Sequence, residues 1–76
     1  MTDFKTNDTN LAAALSASGL PMVDMRKEEG NRVYFVFRGT EKVHHASNRF
    51  WGRSLSVDAK TLTEELKTLK HRITNV

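Results

Sequence analysis

Arg32-Val33-Tyr34-Phe35-Val36-Phe37-Arg38 is the stretch that decides the fold. Its five central residues are β-branched or aromatic, which suits an extended strand. Side chains alternate along a strand, so Val33, Phe35 and Phe37 share one face. Tyr34 and Val36 occupy the other, which is therefore expected to be partly covered. Just before this stretch, Glu28-Glu29-Gly30-Asn31 contains two residues that tolerate positive φ. Met22 to Glu28 supplies a partner strand, with Val23 and Met25 directed to the same core. The unit reads as a β-hairpin.

Toward the N-terminus, Pro21 and Gly19 end a helix. The run Leu11 to Ser18 is rich in Ala and Leu, which favour helix. Asn7, Asp8 and Thr9 are all good N-cap types. With Gly19 as the left-handed residue past the helix, Leu20 returns to Leu15 in a Schellman close. Pro21 cannot continue the helix. Residues 1–6 are expected to be a loose lead-in.

Toward the C-terminus, Gly39-Thr40 breaks the strand and Thr40 can cap a second helix. Val43, Ala46, Ser47 and Phe50 follow helical spacing. At about 100° per residue, His44 and Trp51 lie on one flank of that stripe. Lys42, His45 and Arg49 lie on the opposite, outward flank. Gly52 should end this helix. Leu55 and Val57 alternate with Ser54 and Ser56, which predicts a short third strand. Asp58 is a cap for a last helix, Ala59 to about Arg72. Leu62, Leu66, Leu69 and Ile73 form its apolar stripe, with Leu66 at the centre. Lys60, Glu64, Lys67 and His71 face away, and Glu64 can pair with Lys60 or Lys67.

The expected class is α+β, one domain over residues 1–76 in the order α-β-β-α-β-α. Its helices should pack on one face of a small, mostly antiparallel sheet. A chain of 76 residues buries only roughly 60% of its unfolded surface, so the core is modest. There is no cysteine, which removes disulfides and thiolate metal sites. No apolar run approaches the ~20 residues that cross a bilayer, and Met1 to Asn10 lacks the apolar centre of a secretion signal. The expectation is a cytoplasmic protein with no membrane contact. Apolar residues on both hairpin faces, or an unpaired edge, invite a second copy, so a homodimer is expected.

The stretches Val33-Tyr34-Phe35-Val36-Phe37, Arg49-Phe50-Trp51-Gly52 and Leu55-Ser56-Val57-Asp58-Ala59, followed by Leu66-Lys67-Thr68-Leu69-Lys70, carry a family likeness. The chain from Leu20 to Arg72 resembles a family of short uncharacterised domains of unknown function from bacterial, archaeal and phage or plasmid sequences. These motifs are mostly core and cap residues. The resemblance implies a mobile-element or viral setting, in which small single-domain proteins bind and block host factors. It assigns no activity and no site residue.

Catalytic chemistry finds little support. The serines have no nucleophile-elbow spacing, the carboxylates form no compact pair, and four isolated glycines make no phosphate loop. His44 and His45 point about 100° apart on a helix and rarely share one ion. His71 lies on another helix, and a zinc site needs three or four ligands. The expectation is a non-enzymatic binding module with no metal and no cofactor.

Net charge is +3 and unevenly spread. Met1 to Met25 is net −2, Arg26 to Arg53 net +4, and Ser54 to Val76 net +1. The middle third also holds Tyr34, Trp51 and two adjacent histidines. Basic plus aromatic suits an anionic, base-bearing ligand; the plainer reading is solubility charge around a small core. The candidate anion surface is Arg38, Lys42, His45, Arg49 and Arg53, able to neutralise phosphates with little sequence preference. If His45 touches phosphate, binding should strengthen as pH falls and the imidazole gains charge. Tyr34 and Trp51 are candidate base-stacking residues, although Trp51 is more readily placed in the core. The expected partner is nucleic acid or a nucleotide. The alternative is a protein-interaction module or inhibitor of a host protein, resting on small size and a partly apolar second sheet face. A plain structural subunit is the third reading.

Overall fold

A computed structural model describes residues 3–75. The elements are β1 (Asp3–Thr6), α1 (Thr9–Ala17), β2 (Met22–Glu28), β3 (Arg32–Arg38), α2 (Glu41–Trp51) and α3 (Ala59–Thr74). The three strands form one antiparallel sheet in the order β1-β3-β2. The class is α+β, as expected, but the element order is β-α-β-β-α-α.

The apolar strand β3 is the central one. Phe35, Val36 and Phe37 are all fully buried. Phe35 and Phe37 join Leu11, Ala12, Ala13, Leu15, Val43, Ala46 and Leu69 in the core, so all three helices pack on that face. Val36 is buried outside this cluster. It is flanked on the opposite face by Lys5 and Asp24 of the neighbouring strands. Ala12 and Ala13, fully buried, have no bulk beyond Cβ and let α1 approach its neighbours closely.

Three expectations are corrected. First, Asp3–Thr6 is a strand and not a loose lead-in; Met1 and Thr2 lie outside the described residues. Phe4 stands opposite Phe37 and Thr6 opposite Phe35. A central strand has two edges to satisfy with hydrogen bonds. The hairpin supplies one partner and β1 the other. Second, Ser54 to Val57 is no strand. Leu55 and Val57 are half-buried and their serine neighbours exposed, so the alternation reports a connection lying along the core without a ladder partner. Third, Val23 does not face the core: it is 46% exposed. The register slips between Met22 and Asp24, so that Met22 faces Phe37 and Met25 faces Phe35. An unbroken strand would send Met22 and Met25 to opposite faces. The bulge brings both inward and leaves Val23 outside.

The helix ends follow local chemistry. Asp8 caps α1 by accepting from the Leu11 N–H at 3.0 Å. At the other end Gly19 has φ +86°. Its N–H donates to Ser16 O at 3.0 Å, and the Leu20 N–H donates to Leu15 O at 3.1 Å, completing the Schellman close. Gly30 and Asn31 both take positive φ in the single 3-10 turn that joins β2 to β3. Thr40 caps α2 through Val43 N–H. Asp58 caps α3, accepting from the Thr61 N–H and from its hydroxyl, both at 2.9 Å. In α3 it is Leu69, not Leu66, that is fully buried; Leu62, Leu66 and Ile73 are half-buried. Glu64 makes no ion pair among the described residues.

Candidate ligand-binding surfaces

Helix α2 buries Val43, Ala46 and Ser47. That fixes its rotation and leaves Lys42, His45 and Arg49 exposed on one outward flank. Glu41, Lys42, His44, His45 and Asn48 border a shallow concavity along the outer side of the helix. These cations take no part in the core. None of them forms an ion pair among the described residues.

Arg49 has a second task. Its Nη2 donates to Ser54 O at 2.7 Å, while Arg49 O accepts from the N–H groups of Ser54 and Leu55 at 2.8 and 3.2 Å. One arm of the guanidinium thus fastens the turn after α2. Arg53, inside that turn, is exposed and adopts φ +61°. Gly52, which was expected to end the helix, is its C-cap with an ordinary φ of −81°.

The remaining candidates are not brought together with this stripe. By the alternation of β3, Arg38 and Tyr34 share the face of Val36, away from the helices. That face sets charged pairs around Tyr34 and the buried Val36. Lys5 Nζ lies 3.0 Å from Glu28 Oε2, and Arg26 Nε lies 2.8 Å from Asp24 Oδ2. The Arg26 side chain, and then the Met25 N–H, hold the Asp24 carboxyl below the usual carboxylate range. Lys5 Nζ also sits 4.8 Å from the centre of the Tyr34 ring. A base stacking on Tyr34 would have to displace it. The β2 edge carries a bulge and charged side chains, which discourage pairing with another strand.

Trp51 is not in the core: it is 61% exposed and meets Phe50 edge-on, with ring centres 5.0 Å apart. It lies on the flank of α2 opposite Lys42 and Arg49. His44 does not pack on Trp51 but edge-on against Phe4, at 5.5 Å, because β1 occupies that side. Among the described residues no three of His, Asp and Glu gather as a metal site would require. No helix among them is long and apolar enough to cross a membrane.

Two concavities were not foreseen. One lies between the bulged end of β2 and the last turn of α3, with Val23, Asp24, His71 and Arg72 on its rim. The other has Ala14, Phe50, Leu55, Val57 and Leu62 as its walls and Arg53 at its edge. The unpartnered Leu55/Val57 alternation was the only sequence signal for it.

A family model, Domain of unknown function (DUF5659), matches residues 1–75. The chain belongs to that family. The match takes in β1 and α1 as well as the stretch from Leu20 to Arg72, so the family spans the whole described fold and not the hairpin onward alone. No curated protein and no solved structure matches the chain. Membership brings no reaction and no ligand, and the surfaces described above are the basis for any functional reading.

Proposed function

We propose that this is a binding module whose ligand is a polyanion of the nucleic-acid or nucleotide kind, held on α2 by Lys42, His45 and Arg49, with Arg53 beyond its end. The observation that carries this reading is where the free charge lies. From Lys42 to Arg53 there are three Lys or Arg and no Asp or Glu, with Glu41 just before them. That excess equals the +3 of the whole chain. The open sheet face also carries cations, but Lys5 and Arg26 are ion-paired there, and Arg32 and Arg38 stand opposite Glu28 and Asp3. Unpaired cations on one helix flank can release counterions from phosphates. Lys and Arg without an Asn or Gln array give little base discrimination, so the expected binding is to the backbone. Arg49 near the C-terminal end also suits the helix dipole, which alone would explain that one residue but not Lys42 near the start.

The test is a titration of the wild type and of Lys42→Glu/His45→Glu with single-stranded DNA, RNA and cyclic nucleotides at low salt. This pair leaves the Arg49 contact to Ser54 intact, so the fold should be unchanged by circular dichroism. Loss of binding in the variant supports the reading; equal binding by both proteins removes it. A second reading, a protein-interaction module, is favoured by Trp51. A tryptophan 61% exposed is the residue type that anchors protein interfaces. Binding of nothing in the panel by the wild type would leave that reading in its place.

A further inference from the structure

We infer that the groove edged by Arg53 docks a segment of a partner protein that sets an apolar side chain beside a carboxylate. Arg53 also ends the proposed anion surface of α2, but neither Lys42 nor His45 lines the groove, so the two sites meet only at that residue. Two independent features point to it.

The first is the backbone at Arg53. Helices α1 and α2 end in the same Schellman motif. In α1 the left-handed position is Gly19, φ +86°. In α2 the Arg53 N–H donates to Phe50 O at 3.1 Å and the Ser54 N–H to Arg49 O at 2.8 Å, so the left-handed position is Arg53, φ +61°. L residues with a Cβ are strained there, and glycine is not. Glycine is present one position earlier, at 52, where φ does not need it. The Arg49 arm to Ser54 O, 2.7 Å, helps to hold the turn in this form. Strain kept in place by its surroundings is a mark of function, and the feature gained here is a guanidinium at this point.

The second is what that guanidinium borders. Phe50, Leu55, Val57 and Leu62 are half-buried and face the groove, with buried Ala14 at its base. Arg53 is the one charged residue lining it, and it has no acidic partner among the described residues. The volume is about 230 Å³. Pockets that enclose a whole small molecule run to roughly 300–1,000 Å³, so this open groove can receive a side chain but does not enclose a nucleotide. Free phosphate would leave five apolar walls unused. A carboxylate offers Arg53 a bidentate pair, and an adjacent apolar side chain takes the groove.

The experiment is amide NMR of the full chain titrated with acetyl-Leu-Asp-Leu-amide. Acetyl-Leu-Asn-Leu-amide and acetyl-Gly-Asp-Gly-amide serve as controls. The expected result is a shift of the Phe50, Leu55, Val57 and Leu62 signals with the first peptide and about tenfold weaker binding of each control. Arg53→Gly should melt at a higher temperature than the wild type and yet lose the peptide. Lys42→Glu should bind the peptide unchanged, which separates this site from the α2 anion surface. No shifts with the first peptide, equal shifts with the glycine control, or equal binding by Arg53→Gly would overturn the inference. A lower melting temperature for Arg53→Gly would also overturn it, since the turn would then need arginine for its own stability.

Discussion

Gly19 and Arg53 hold the same place in the same helix-ending motif, and only one of them is suited to it. Each donates its N–H to the carbonyl three residues back, Ser16 O and Phe50 O, and each has a left-handed φ. Gly19→Ala should therefore destabilise the domain by about 1–2 kcal/mol. Arg53→Gly should stabilise it by about 0.5–1 kcal/mol, the relief of strain less the entropy glycine loses on folding. In a domain of this size that is a rise in Tm of a few degrees, about 4–8 °C per kcal/mol. Thermal melts of the two variants read both effects, and movement in the same direction would contradict the shared motif.

Leu69 is the anchor of α3. It is 1% exposed and lies in the core with Phe35 and Phe37, whereas Leu66 is half-buried. Leu69→Ala should cost about 2–5 kcal/mol, against a total stability on the order of 5–10 kcal/mol. Leu66→Ala should cost less. Urea midpoints in the reverse order would place the core elsewhere along the helix.

Asp58 gives α3 an acid-sensitive start. The Thr61 N–H and then its hydroxyl hold the Asp58 carboxyl below the usual carboxylate range. A carboxyl lowered by folding stabilises the native state above its unfolded pKa, about 3.9. That contribution is lost as pH falls through the lower folded value. Asp58→Asn still accepts from Thr61 but cannot titrate. Its melting temperature should fall less steeply than the wild type's below about pH 4. Parallel acid curves for the two proteins would deny Asp58 this role.

Much of this fold was legible because it is local. Asp8, Thr40 and Asp58 cap helices through residues three positions on, and the Gly19–Leu20 close needs only its own helix. The β2–β3 hairpin was readable from Val33 to Phe37 and from Gly30-Asn31. What escaped the sequence depends on distant neighbours. Asp3-Phe4-Lys5-Thr6 becomes a strand because β3 has a second edge to satisfy, and two inward positions are too few to show a period. Leu55 and Val57 alternate like a strand because one side of them is buried, which is not the same as being paired. The slip at Val23 is invisible until Met22 and Met25 both have to reach Phe37 and Phe35. On the site, the outward stripe Lys42, His45, Arg49 followed from helical spacing. The placement of Arg38 was also available, since it has the parity of Tyr34 along β3 and so belongs to the far face. The exposure of Trp51 was not, because it depends on where β1 and the turn after α2 come to lie.

The central claim is that the free cations of α2 meet phosphates, and salt dependence tests it most directly. Affinity for a single-stranded oligonucleotide is measured by fluorescence anisotropy across a salt series for the wild type and for Lys42→Glu. Three fixed cations, Lys42, Arg49 and Arg53, each worth about 0.7 in the slope, give a fall of log affinity with log salt of about 2. Lys42→Glu should weaken binding and flatten that slope by about 0.7 or more. No binding by the wild type at the lowest salt, or the same slope in both proteins, would contradict the claim.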